Sequence, residues 1–109
     1  ILLLDHQDNI ADYFNIFDCY ISASRWETFG ISLIEAMSFD LPIITSVHEG
    51  NEEWIYDHDV NIFLSNDVSD LTLKILNAYK NKPKKKKYNL KQFNYEEICN
   101  NILEFYKNI

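Results

Sequence analysis

Glycine and proline are scarce in this chain, whose 109 residues hold only two of each. A domain of this length reverses direction many times, so most of its turns must be made by other residues. Neither glycine-rich phosphate loop, GxxxxGK or GxGxxG, is present. Arginine is scarcer still, with Arg25 alone, and the net charge is −7. Such an acidic chain repels a nucleic-acid backbone, which argues against a general nucleic-acid binder. Cys19 and Cys99 stand far apart with no metal-ligand spacing around either, so both read as reduced thiols in or near the core. His48, Glu49 and Glu53 form a polar cluster, but its spacing is too unspecific to assign a metal. No apolar run approaches the length of a membrane span, and the opening ILLL falls far short of one.

What is present suits a folded domain. Apolar residues make up 47%, including seven Phe, seven Tyr and two Trp, enough for one modest core. Charge is distributed unevenly. Residues 1–79 hold fourteen acids against Arg25 and Lys74, a balance of −12, while residues 80–109 hold eight lysines against three glutamates, a balance of +5. The run KNKPKKKK, residues 80–87, has two readings: peripheral contact with an anionic membrane, or a solvated connector between helices.

Periodicity gives an alternating order. Ile1–Leu4 reads as a strand covered on both faces. Asp8 or Asn9 can cap a helix through Ile10, Tyr13, Phe14 and Phe17, spaced three and four apart. CYISA is a second strand, ISLIEAMSF a helix, LPIITS a third strand entered at Pro42, and NIFLS a fourth. A short helix or turn is expected near Glu52–Tyr56. Asp67 or Ser69 caps a helix that turns Leu71, Ile75, Leu76 and Tyr79 inward. A last helix starts near Tyr95 and carries Ile98, Ile102, Leu103 and Tyr106. The pattern predicts an α/β fold, a parallel sheet flanked by helices resembling part of a Rossmann-like nucleotide-binding domain. Ligands of such sheets bind beyond the carboxyl ends of the strands, where the loops SASRWETFG and VHEGNEEW both fall.

The first of these loops raises the chemical question. The helix beginning near Gly30 offers unpaired N–H groups from Gly30 to Leu33 to an anionic oxygen, or Gly30 simply eases a turn. Ser32 and Glu35, three apart, lie opposite the apolar stripe; Glu35 can accept both hydroxyls of a ribose, or face solvent as an ordinary helix acid. Glu27 precedes the helix and gains from its dipole. It suits a carboxylate that orients hydroxyls or steadies positive charge on a sugar carbon; a carboxylate pair also keeps glycoside hydrolysis open. Arg25 can pair with an acid or reach a phosphate. Glu49 and Glu53 would repel on one helical face, which places Glu49 in the loop.

The span DCYISASRWETFGISLIEAMSFDLPIITSVHEGNEEWI resembles the core of the retaining glycosyltransferases with the two-domain GT-B fold. Glu27 and Glu35 match that family's paired glutamates; Phe29, Gly30, Ala36, Met37, Pro42, Gly50 and Glu53 also fall on its pattern. Asp67 resembles the acid before its next helix, and FNYEE the aromatic signature opening its last one. The resemblance covers nearly the whole chain and implies residues 1–109 of the nucleotide-sugar-binding domain, without the acceptor domain. By that resemblance Glu35 binds ribose, the backbone of Phe29, Gly30, Ile31 and Ser32 meets diphosphate or sugar, and Glu27 contacts the transferred sugar. It further implies a nucleotide diphosphate sugar donor, no cofactor or essential metal, and a saccharide or lipid-linked acceptor. A cytoplasmic location at the inner face of the membrane fits surface polysaccharide or glycolipid synthesis. Arg25, His48, Glu49 and Gly50 are expected contacts of the donor loops. Departures stand at Asp5, Asp40, Glu49 and Ile62, where relatives often carry glycine, and at Glu52, where they often carry proline. The acidic replacements favour a second reading, a non-catalytic binding or assembly module of the same fold.

Overall fold

The computed structural model describes residues 1–109. Three parallel strands, β1 (Tyr20–Ser22), β2 (Ile43–Ser46) and β3 (Asn61–Phe63), form one sheet in the order β1-β2-β3. Tyr20 pairs with Ile43, Ile21 with Ile44, and Thr45 with Ile62. Since neighbouring residues of a strand point to opposite faces, this register sorts the side chains into two layers. On one face, Ile43 packs with Phe14 of α1 (Ile10–Ile16), with Leu33, Ala36 and Met37 of α2 (Ile31–Ser38), and with Leu41, Trp54 and Ile55. Ile21 and Ile44 point to the other face, toward α3 (Val68–Asn81). Helix α4 (Tyr95–Lys107) follows a short turn at Lys91–Phe93 and packs chiefly against it.

Helix α2 owes its ends to two left-handed residues. Gly30 caps its start with φ +85°, and Asp40 follows its last turn with φ 61°. Asp40 N–H donates to Met37 O and Leu41 N–H to Ala36 O, which together close the carbonyl end of the helix. Aspartate thus does at residue 40 what glycine usually does, as its short side chain permits. Asp5, by contrast, is not left-handed.

Two expectations need correction. Ile1–Leu4 form no strand; none of the three strands pairs with them, and all four side chains are exposed. An apolar run marks a strand only where a ladder partner exists. The apolar stripes of α3 and α4 are also uncovered. No residue of either helix is fully buried; Tyr79 is 78% and Tyr106 69% exposed. The spacing marks an apolar stripe on each helix, but this chain supplies little to lie against it. Of the expected caps, Asp67 accepts from Asp70 N–H, whereas neither Asp8 nor Asn9 makes a side-chain capping bond to α1; Asn94 caps α4 by accepting from the N–H groups of Glu96 and Glu97.

The lysine run is the connector between α3 and α4, and it crosses the amino ends of the strands. Lys86 N–H donates to Asp40 O, Lys86 Nζ lies 2.6 Å from Asp59, and Tyr88 donates to Leu41 O at 2.9 Å. Burial, followed by the nearby charges of Asp59, Cys19 and Asp40, pushes the Tyr88 hydroxyl up from 10.0 to about 12. A hydroxyl harder to ionise in the folded chain stabilises it below the unfolded value and stops doing so as pH rises through the folded one. Stability measured by urea unfolding is therefore expected to fall between pH 10.0 and about 12, and Tyr88→Phe to flatten that fall.

Candidate functional site

Two loops meet beyond the carboxyl ends of β1 and β2, and their meeting point is a glycine. A Cβ on Gly50 would stand 2.4 Å from Glu27 O and 2.7 Å from Phe29 N, so only glycine fits there. Around Gly50 the second loop is locked from within. Trp54 Nε1 donates to Gly50 O at 3.1 Å. Asn51, fully buried, accepts from His48 N–H through Oδ1 and donates from Nδ2 to Ser46 O. Those two bonds orient its amide, leaving the second Nδ2–H to point at His48 Nε2, 3.2 Å away. Nε2 is then an acceptor, so the imidazole carries its hydrogen on Nδ1. Nδ1 is buried with no partner in the chain.

This locked loop backs Glu27. Its Oε2 lies 3.7 Å from His48 Nε2, too far for a direct hydrogen bond, and 3.8 Å from where a Cβ on Gly30 would be. The Glu27 side chain is 29% exposed, so the carboxylate is held yet reachable. The amides of Phe29, Gly30, Ile31 and Ser32 have no backbone acceptor, whereas Leu33 N–H is bonded to Gly30 O. Leu33, counted among the unpaired groups by the helix pattern, is therefore not one of them. A row of free N–H groups at the positive end of a helix attracts anionic oxygen.

The remaining expected residues divide. Ser32 is half-buried and its Oγ accepts from Tyr20 OH at 3.0 Å, which leaves its own hydrogen free. Glu35, one turn into α2, is exposed and unpaired. Phe29 turns its ring to Phe93 and Trp54, at 5.9 and 6.3 Å between centroids, so its contribution to the site is its amide. Glu49 is exposed beside Gly50. Arg25 stands apart: it lines a separate crevice with Ser24, Ser46, Ser65, Asn66 and Asp67, none of them from α2 or the Gly50 loop. The larger groove, about 470 Å³, is mostly apolar and lies against Cys19, Ile21 and the end of α3. No three His, Cys, Asp or Glu side chains converge as metal ligands would.

Sequence reasoning passed over Asn51 and Tyr20. Asparagine directly after the loop glycine was a usable signal, because its side chain readily bonds nearby backbone. Nothing local marked Tyr20, whose hydroxyl reaches across from the strand to α2.

A parallel sheet flanked by helices, with two polar loops at its carboxyl edge, defines an α/β domain of the Rossmann-like class. The chain belongs to the glycosyl transferases group 1 family, which residues 1–96 match. It is similar to the lipopolysaccharide core biosynthesis mannosyltransferase LpsB of Rhizobium meliloti (strain 1021), 33% identical over 46 residues. That match covers 42% of this chain and 13% of the relative's own length. No solved structure matches the chain. No helix is long and apolar enough to cross a membrane.

Gly50→Ala is expected to cost about 1–3 kcal/mol of stability through overpacking against the first loop. Gly30→Ala meets no close atom and is expected to cost about 1–2 kcal/mol from its left-handed backbone alone. Urea unfolding measures both costs. Amide NMR should show Gly50→Ala alone displacing residues 27–29.

Proposed function

We propose that this chain is the donor-side portion of a retaining, GT-B-type glycosyltransferase that uses a nucleotide diphosphate sugar. The observation that carries the reading is the set of unpaired amides from Phe29 to Ser32, flanked by the reachable carboxylates of Glu27 and Glu35. Diphosphate oxygens accept from the amides, and the helix end stabilises the charge that grows on the departing phosphate. Glu35 takes the ribose hydroxyls. Glu27 faces the transferred sugar and steadies positive charge at its anomeric carbon. The leaving diphosphate helps deprotonate the acceptor, so no metal or cofactor is required. The acceptor is a saccharide or lipid-linked saccharide, in keeping with the LpsB relative's role in lipopolysaccharide core biosynthesis.

In a longer protein containing this chain, Glu35→Gln should weaken donor binding about tenfold, in line with loss of a charged hydrogen bond. Glu27→Gln should lower kcat with little change in donor affinity. Donor titration and steady-state kinetics read the two effects separately, and tight donor binding indifferent to both changes would refute the assignment. A second reading, a binding module without catalysis, is favoured by Glu49, whose carboxylate sits beside the glycine that joins the loops. It predicts donor binding without transfer, or no binding at all.

The reading also places the enzyme in the cytoplasm at the inner membrane face, with the exposed lysines of residues 80–87 against anionic lipid. Replacing Lys82, Lys84 and Lys87 with Ala should reduce co-sedimentation with phosphatidylglycerol vesicles, most clearly at low salt. Unchanged co-sedimentation would remove the membrane from the proposal.

A further inference from the structure

The crevice that holds Arg25 has no place in the donor site described above. It lies where the three strands end, on the α3 side of the sheet, with a volume of about 180 Å³. That is below the roughly 300–1,000 Å³ of pockets that enclose drug-sized ligands, so it suits one ring rather than a nucleotide. Arg25 is the chain's only arginine, and no carboxylate lies within ion-pair distance of it. Its guanidinium therefore offers several unshared N–H donors. Across the crevice, Asp67 uses Oδ1 to cap Asp70 N–H and keeps its other oxygen free. Ser46 gives its hydrogen to Ser24 O at 3.0 Å, so its hydroxyl oxygen can still accept. Ser65 and Asn66 complete the wall, with Asn66 held at φ 64°.

Donors and acceptors thus alternate around a small, nearly neutral hollow. An inorganic anion would meet one arginine but also the Asp67 carboxylate. A pyranose ring, whose hydroxyls each donate and accept, uses both. The inward-facing Phe63, lining the same crevice, gives the C–H face of a ring an apolar surface. Trp26, next to Arg25, is 69% exposed on the same loop.

We propose that the crevice between the strand ends and α3 is a subsite for one pyranose ring of a saccharide, recognised by Arg25 and Asp67. It deepens the glycosyltransferase reading, and rests on it, only in naming that saccharide as part of the acceptor. The test is amide NMR of the 109-residue chain titrated separately with methyl α-mannopyranoside, methyl β-glucopyranoside, inorganic phosphate and a nucleoside diphosphate. At least one glycoside should give saturable shifts at residues 24–25 and 65–68. Arg25→Gln and Asp67→Asn should each weaken that binding about tenfold or more, while their spectra elsewhere stay unchanged; asparagine keeps the helix cap. Phosphate producing the same shifts, or no glycoside producing saturable ones, would overturn the inference. Nucleoside diphosphate shifts confined to residues 29–35, with none from the glycosides, would overturn it too while leaving the donor reading intact. Glycoside shifts at the crevice with no nucleotide response would support the subsite and count against the donor reading.

Discussion

The approach of Gly50 to the backbone of residues 27–29 is the contact on which the site depends. Two loops from neighbouring strands touch there at a distance that excludes any side chain. Because they touch, the first loop is held against the second and cannot relax away from the start of α2. The second loop can hold this position because its polar groups are satisfied within itself, through Asn51, Ser46 and the Trp54 indole. Trp54 in turn packs edge-on against Phe93, at 5.0 Å between centroids, which ties the loop to the segment leading into α4. The geometry around Glu27 is therefore set by packing some distance from it.

Much of this was legible in the sequence, and the exceptions share a cause. Strands β1–β3 and all four helices were evident from periodicity and caps, because those signals are local. The glycine shortage also proved informative: with only two present, Gly30 has the left-handed cap and Gly50 the close approach, while Asp40, Asn66 and Lys82 take the other positive-φ positions. Ile1–Leu4 misled because an apolar run shows that a segment wants cover without showing that a partner is there. The stripes of α3 and α4 misled in the same way. Arg25 illustrates a further limit. It lies two residues from Glu27, yet a strand-to-helix loop reverses its facing within that distance, and the two side chains serve different hollows. Sequence proximity could not distinguish them.

The electrostatics of the site follow from that separation. A diphosphate approaching α2 meets free amides, which carry partial positive charge, but also Glu27 and Glu35. Helix-end attraction is worth about 0.3–1 kcal/mol at an exposed position and is weakened by salt. Two nearby carboxylates oppose it with full charges. The imidazole of His48 lies behind Glu27 with its Nε2 3.2 Å from Asn51 Nδ2 and 3.7 Å from the carboxylate. Arg25, the one fixed cation of the two loops, is in the other crevice. Residues 1–109 thus bring two carboxylates and a helix start to one edge of the sheet, while Arg25 lines the neighbouring crevice. The helix start and the arginine therefore act on separate hollows, and the balance of charge at each is set by the side chains that line it.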